Sequence, residues 1–294
     1  MRVVAIINPI SGAGADRHVA ERRRALVAQA LDRRQLSGSI HFTERAGHAR
    51  DLARAAAASG AALVVVWGGD GTVNEAGAAL LGTATALGLV PAGSGNGLAA
   101  ALACSMDSHA ALDRALDGAP RPIDAGLFGD RPFFNIAGIG VDARIAALFN
   151  RRPRGARGLW PYVLIGIREG WRYGSREYEV ELDGESRRLR ALLIAFANGR
   201  EYGNGVTLCA RAELDDGLLD VTLVEDRSVL ARFWHARHLA NGTAERAPRV
   251  TVRQIRRAVI RCQGPIEYHV DGEPGTAQDL IEIGIRPRAL LVKW

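Results

Sequence analysis

Lysine is almost absent from this chain of 294 residues; it occurs once, at Lys293. That absence excludes two common phosphate-handling devices. A P-loop needs a Gly-Lys-Ser/Thr step, and a protein kinase needs a strand lysine on the phosphates. Cysteine is scarce as well. Cys104, Cys209 and Cys262 lie far apart and form no CxxC pair, which argues against a disulfide framework or a cysteine zinc site and fits a reducing cytoplasm. No apolar run approaches the roughly 18 residues of a membrane-spanning helix. The apolar start from Met1 to Ile7 stops at Asn8-Pro9, too short for a signal core. Long polar or low-complexity tracts are missing too, so disorder is not expected.

What is present is an ordinary globular composition. Hydrophobic residues make up 48% and charged residues 24%. The net charge of +6 and pI of about 9.8 come from arginine. The arginines are spread along the chain, which reads as a solvated surface and predicts no nucleic-acid partner. The length suits one large or two medium domains.

Up to about residue 122, short apolar runs alternate with helical stretches. The pattern predicts strands at 3–7, 39–43, 61–67 and 86–90, and helices at 16–35, 47–58, 72–81 and from 97 onward. Such alternation implies a parallel sheet that binds ligands at the carboxyl ends of its strands. Beyond that point strand-like runs dominate, at 132–137, 177–183, 188–197, 219–225, 250–261, 265–270 and 279–285. Asp183-Gly184, Asp216-Gly217 and Asp271-Gly272 punctuate them as turns. One amphipathic helix is expected at about 156–173. The domains expected are therefore 1–124, with 286–294 packing back on it, and 125–285.

The strongest local signal is Gly68-Gly69-Asp70-Gly71-Thr72-Val73-Asn74-Glu75, after a buried strand and before a helix. Glycines leave backbone N–H groups open to phosphate oxygens. Thr72 and Glu75 have capping-box spacing. Asp70 beside a phosphate calls for a cation or a proton role. The dinucleotide fingerprint GxGxxG fails here, because Asn74 holds its third position; it fails likewise at Leu98 and Arg17. Backbone, metal and arginine must then handle phosphate charge.

With Asn8-Pro9-Ile10-Ser11-Gly12, Thr43, Gly47-His48-Ala49, Pro91 to Asn96, Asp124-Ala125-Gly126, Asn135 to Asp142, Ala197-Asn198-Gly199, Asp215 to Asp220 and Asp271-Gly272-Glu273-Pro274 in this order, the chain resembles the diacylglycerol kinase catalytic-domain family, which includes bacterial soluble lipid kinases and sphingosine kinases. The resemblance covers nearly the whole chain. It implies a Rossmann-like α/β N-terminal domain with a parallel sheet of the NAD-kinase and phosphofructokinase kind, and a mostly antiparallel β-sandwich C-terminal domain. It also implies ATP and Mg²⁺ as cofactors, with a nucleotide cleft between the domains. Asn8, Ser11, Gly12, Thr43, Gly68, Gly69, Asp70, Gly71, Thr72, Asn74 and Ser94 match nucleotide-contacting positions. Asp216, with the backbone oxygens of Glu213 and Leu218, matches a structural magnesium site. Asp271 and Glu273 match the acidic pair near the general base, either of which could take the proton. Asp70 and Asp124 match acids that organise the catalytic metal, and Asp142 matches an acid that faces the lipid head group.

The acceptor stays open between diacylglycerol or a related lipid and a sphingoid base, whose amine Asp142 could meet. NAD kinase shares the Gly-Gly-Asp-Gly loop and is the nearest enzyme alternative. A non-catalytic nucleotide- or lipid-binding regulator is the other. The run Arg151-Arg152-Pro153-Arg154, continuing to Trp160 and Tyr162, reads either as a membrane-contacting entry or as a core helix with a basic loop. The expected protein is cytoplasmic, meets its lipid at the inner membrane face, and leaves a homodimer open.

Overall fold

The computed structural model describes residues 1–12, 16–151, 159–200, 209–226, 232, 238, 243 and 246–294. The chain divides into two compact units, one of residues 1–123 with 288–294 and one of residues 124–287.

In the first unit, β1 (Arg2–Ile7), β2 (Ser37–Phe42), β3 (Leu63–Gly68) and β4 (Ala86–Pro91) pair in the order β2-β1-β3-β4, all parallel. Val292 and Lys293, at the end of β15 (Leu280–Lys293), add a further parallel neighbour to β4. β3 and β4 are buried along their whole length, as continuous apolar runs in a two-sided parallel sheet should be. The crossovers are α1 (Arg17–Arg33), α2 (His48–Ala58) and α3 (Asp70–Leu80), followed after β4 by α4 (Gly97–Ala101) and α5 (Ser108–Asp117). Arg34, just past α1, forks onto Asp113 and Asp117 of α5 at 2.7 and 2.5 Å. The buried Lys293 donates to the Leu116 carbonyl at 2.7 Å. The chain's one lysine is thus a structural group.

The second unit is antiparallel. β5 (Arg121–Phe128), β6 (Arg131–Phe133), β7 (Ile136–Gly140), β8 (Arg176–Leu182), β9 (Glu185–Ala197), β10 (Leu219–Glu225), β11 (Val250–Ile255), β12 (Arg257–Arg261), β13 (Ile266–Val270) and β14 (Glu273–Ala277) carry it. β9 is the pivot, because its first half pairs with β8 while its second half lies between β7 and β10. The core gathers Phe128, Phe133, Phe196, Ile260 and Tyr268, with the Phe128 ring 4.7 Å from that of Tyr268. Among the described residues, α6 (Val141–Asn150) and α7 (Leu159–Arg172) also belong to this unit.

Several local expectations differ from the structure; the single strand expected at 132–137 is two, β6 and β7. The helix placed at 72–81 begins at Asp70, because the Gly69 carbonyl already accepts the Val73 N–H. The capping box therefore does not form. Thr72 lies inside α3, and the Glu75 carboxylate reaches α2, accepting the N–H groups of Gly47 (2.8 Å) and Ala49 (3.2 Å). The single run at 250–261 is two strands, parted where the Asp183 carboxylate takes the N–H groups of Arg256 and Arg257. Finally, α6 was not foreseen. It starts directly after Gly140, whose φ of 105° turns strand into helix, a conformation that side chains disfavour.

Glu75 supplies the acceptors that the first turn of α2 otherwise lacks. Replacing Glu75 with Ala should cost about 1–2 kcal/mol, the usual loss for a removed helix cap, measured by urea unfolding.

Candidate active site

At the carboxyl ends of β1, β3 and β4, hydrogen bonds tie three loops into one frame. Asn8 donates its side-chain amide to Thr72 Oγ1 at 2.8 Å and accepts the Ile10 N–H at 3.1 Å. Ser11 Oγ donates to the Asn8 carbonyl at 2.9 Å. The Asp70 carboxylate accepts the N–H groups of Asn96 (2.8 Å) and Gly97 (2.7 Å) at the start of α4. Asp70 therefore straps the loop after β3 to the loop after β4. The two loops also touch through bare backbone. A Cβ on Gly93 would stand 2.7 Å from the Gly69 Cα, closer than any side chain tolerates.

Gly69, the N-cap of α3, has no side chain with which to cap the helix, whereas the start of α4 gives its Gly97 N–H to Asp70. The first amides of a helix have no intrahelical acceptor and carry the positive end of its dipole, so an uncapped start suits an anion. Gly68, Gly69 and Gly71 place no side chain over it. Around it lie Gly12, at φ 90°, the half-buried Thr43 and Asn74, and the exposed Ser94. The Thr43 N–H donates to the Ile7 carbonyl at 3.0 Å.

Arg23 had no place in the motif reading. It lies in α1 and donates to the Asn8 carbonyl (3.1 Å), Ser11 Oγ (3.0 Å) and the Ser11 carbonyl (3.0 Å). Its guanidinium sits 5.8 Å from the centre of the Trp67 ring, and burial lowers its pKa from the ordinary arginine value. No motif spacing marks it; only the packing of α1 brings it to the loop.

The second unit holds a separate polar network. Asp271 and Gly272 form a two-residue hairpin turn with φ of 48° and 84°. The turn directs the Asp271 carboxylate onto backbone of another segment. That carboxylate accepts the N–H groups of Phe134 (3.0 Å), Asn135 (3.0 Å) and Ile136 (3.1 Å). Glu273, the next residue but one, is exposed. From the other side, Asn198 grips the same segment. Its N–H donates to the Asn135 carbonyl, and its buried side-chain amide donates to the carbonyls of Phe134 and Asp124. Asp124 is fully buried and accepts the Gly217 N–H at 2.6 Å. It thereby belongs with the loop of Glu213, Asp216 and Leu218. Asp216 is exposed, accepting from the Leu218 N–H (2.9 Å) and from Gln254 (3.1 Å).

Asp142 also departs from expectation. It is buried in the first turn of α6, accepting from the Ala143 N–H and from His269. It presents no open carboxylate to an amine. The buried setting follows from α6, which the strand-rich pattern concealed.

Two family descriptions cover this architecture. "Diacylglycerol kinase catalytic domain" matches residues 2–128, and "YegS C-terminal NAD kinase beta sandwich-like domain" matches residues 135–293. A diacylglycerol kinase of Mycobacterium tuberculosis is 32% identical over 92% of this chain and 88% of its own. The chain belongs to the diacylglycerol kinase family. A probable YegS-like lipid kinase of Chromohalobacter salexigens is 30% identical over 80% of this chain and 77% of its own. The solved structure of a putative diacylglycerol kinase from Bacillus anthracis shares the fold, with a TM-score of 0.81, 23% identity and coverage of 100% and 97%. The protein is a lipid kinase by family, built as a parallel α/β unit and an antiparallel β-sandwich.

The contact between Gly69 and Gly93 sets how closely the loops after β3 and β4 of this lipid kinase approach. Gly93→Ala should destabilise the protein by about 1–3 kcal/mol, the usual range for overpacking, read as a lowered thermal midpoint.

Proposed function

We propose that this protein is an ATP- and Mg²⁺-dependent lipid kinase that phosphorylates a hydroxyl of diacylglycerol or a related lipid. The observation that carries this reading is the locked frame of three loops around the glycine-led start of α3, in a chain whose relatives are named diacylglycerol kinase and lipid kinase. In this reading the backbone of Gly68 to Thr72 receives the ATP phosphates, with Asn8, Ser11, Gly12, Thr43, Asn74 and Ser94 around them. Asp70 acts by holding Asn96 and Gly97, which keeps its charge turned toward the amides of α4.

The residues fit a hard cation. Asp216, Asp124 and the carbonyls of Glu213 and Leu218 offer oxygen only, and the buried Asn198 side-chain oxygen has no hydrogen-bond partner among the described residues. Among the described residues no three His, Cys, Asp or Glu side chains come together to hold a metal ion, so the cation would rest on one or two carboxylates and backbone carbonyls. When bound, Mg²⁺ would neutralise phosphate charge. The lipid hydroxyl gives its proton to the acid pair Asp271 and Glu273 as its oxygen bonds to the γ-phosphorus and the bond to the ADP oxygen breaks. Asp271 has most of its lone pairs engaged, whereas Glu273 is exposed.

We place the enzyme in the cytoplasm, meeting its lipid at a membrane surface. Among the described residues no helix is long and apolar enough to cross a membrane. Trp171 on α7 is 59% exposed, a side chain suited to the interface. Arg152, Arg154 and Arg157 of the basic run lie outside the described residues. Trp171→Ser should weaken sedimentation with anionic vesicles; unchanged binding would remove α7 from the contact.

Radiolabelled ATP offered with diacylglycerol, monoacylglycerol, phosphatidylglycerol, sphingosine, ceramide and NAD tests the function. Label should enter diacylglycerol or a close relative and stop when EDTA is added. Label in NAD, or ATP use indifferent to lipid, would overturn the reading. Removing the proton acceptor should lower kcat about a hundredfold. If Glu273 takes the proton, Glu273→Gln shows that loss with an unchanged thermal midpoint, whereas Asp271→Asn lowers the midpoint as well because it disrupts three backbone contacts.

A further inference from the structure

His269 enters none of the motifs, yet it stands directly beside the acidic turn. It lies on β13 opposite Gly138 of β7. The glycine makes room for it, since a Cβ at 138 would fall 1.8 Å from Asp142 Oδ2 and 3.0 Å from His269 Nε2. The imidazole and the carboxylate fill that space, 3% and 6% exposed, with Nε2 and Oδ2 3.1 Å apart.

The tautomer follows from the other side of the ring. The Gly272 N–H points at His269 Nδ1 at 3.3 Å. A backbone amide can only donate, so Nδ1 is the acceptor and the ring proton sits on Nε2, facing Asp142. Each group in the row then has one role. Gly272 donates to the imidazole, the imidazole donates to Asp142, and Asp142 also accepts the Ala143 N–H at 2.7 Å. The far end of α6 adds a second hold, because Asn150 donates to the Gly272 carbonyl at 2.8 Å. The two peptides that flank the Gly272 Cα are thus both held from α6, one through His269 and one directly.

A purely structural site buried here would favour apolar side chains, since burying a carboxylate and a neutral imidazole costs desolvation that an apolar pair avoids. We propose that His269 is a positioning residue. Held in one tautomer by Asp142, it fixes the Gly272 peptide and so sets where Asp271 and Glu273 stand. Both ring nitrogens are engaged, so it shuttles no proton. This inference rests on the reading of Asp271 and Glu273 as the proton-accepting pair.

Two substitutions separate the bonds of the imidazole. His269→Asn puts an oxygen near the place of Nδ1 and keeps the acceptor for Gly272. His269→Gln puts an amide near the place of Nε2 and keeps only the donor to Asp142. With diacylglycerol as acceptor, His269→Gln should lower kcat about tenfold and leave KM for ATP unchanged, while His269→Asn should recover to within about threefold of the parent. Imidazole ¹⁵N shifts of the parent protein should show the proton on Nε2. In Asp142→Asn, which keeps the shape, the proton should redistribute and the Gly272 amide should exchange faster. A ring protonated at Nδ1, equal kcat in the two His269 variants, or unchanged Gly272 exchange in Asp142→Asn would each overturn the proposal. If the parent protein transferred no phosphate to any lipid, the kinase reading would fall by itself. The ring tautomer and the Gly272 exchange would then still decide whether His269 holds the turn.

Discussion

Within each unit of this enzyme, carboxylates accepting backbone N–H groups hold the loops in place. Asp70 takes two amides at the start of α4, and Glu75 takes two at the start of α2. In the second unit, Asp271 takes three from 134–136, Asp124 one from Gly217, and Asp183 two from the join of β11 and β12. Bonds of this kind are short and charge-assisted, and each satisfies amides that a loop would otherwise leave to water. Removing one frees a segment of loop rather than a single contact. The phosphate frame and the acidic turn therefore share a physical basis: loops made rigid by acids.

That economy changes how the acids of the motifs are understood. In a phosphate-handling enzyme, an aspartate beside a glycine loop reads as a metal ligand, and an aspartate in a hairpin reads as an available base. Asp70 and Asp271 both spend their oxygens on amides. Their charge still shapes the local field, but their first effect is to place neighbours. Asp70 leaves the start of α3 as the anion-ready helix end, and Asp271 leaves Glu273 as the exposed member of the pair.

Much of the frame was legible in advance. Continuous apolar runs ending in glycine-rich loops give buried parallel strands with ligand loops at their carboxyl ends, and period-two alternation gives the antiparallel half. Helix α6 was hidden because its start, Ile139-Gly140-Val141, has strand-like residues, and the left-handed glycine that switches the chain is invisible to periodicity. The Thr72–Glu75 spacing misled for a related reason. A capping box is a local device, and here Glu75 has a better partner 28 residues away in Gly47.

By itself, the amino-acid order determined which segments become strands, which loops carry glycine and acid, and that phosphate must be handled without lysine, since these depend on local residue chemistry. Tertiary structure alone decided what each acid does. A carboxylate's role is set by the donors that face it, and those donors are brought by packing: α4 to Asp70, the 134–136 segment to Asp271, and His269 to Asp142. Lys293 illustrates the same division. Its rarity excluded a mechanism from the sequence, while its burial against the Leu116 carbonyl, visible only in the fold, explains why it is there.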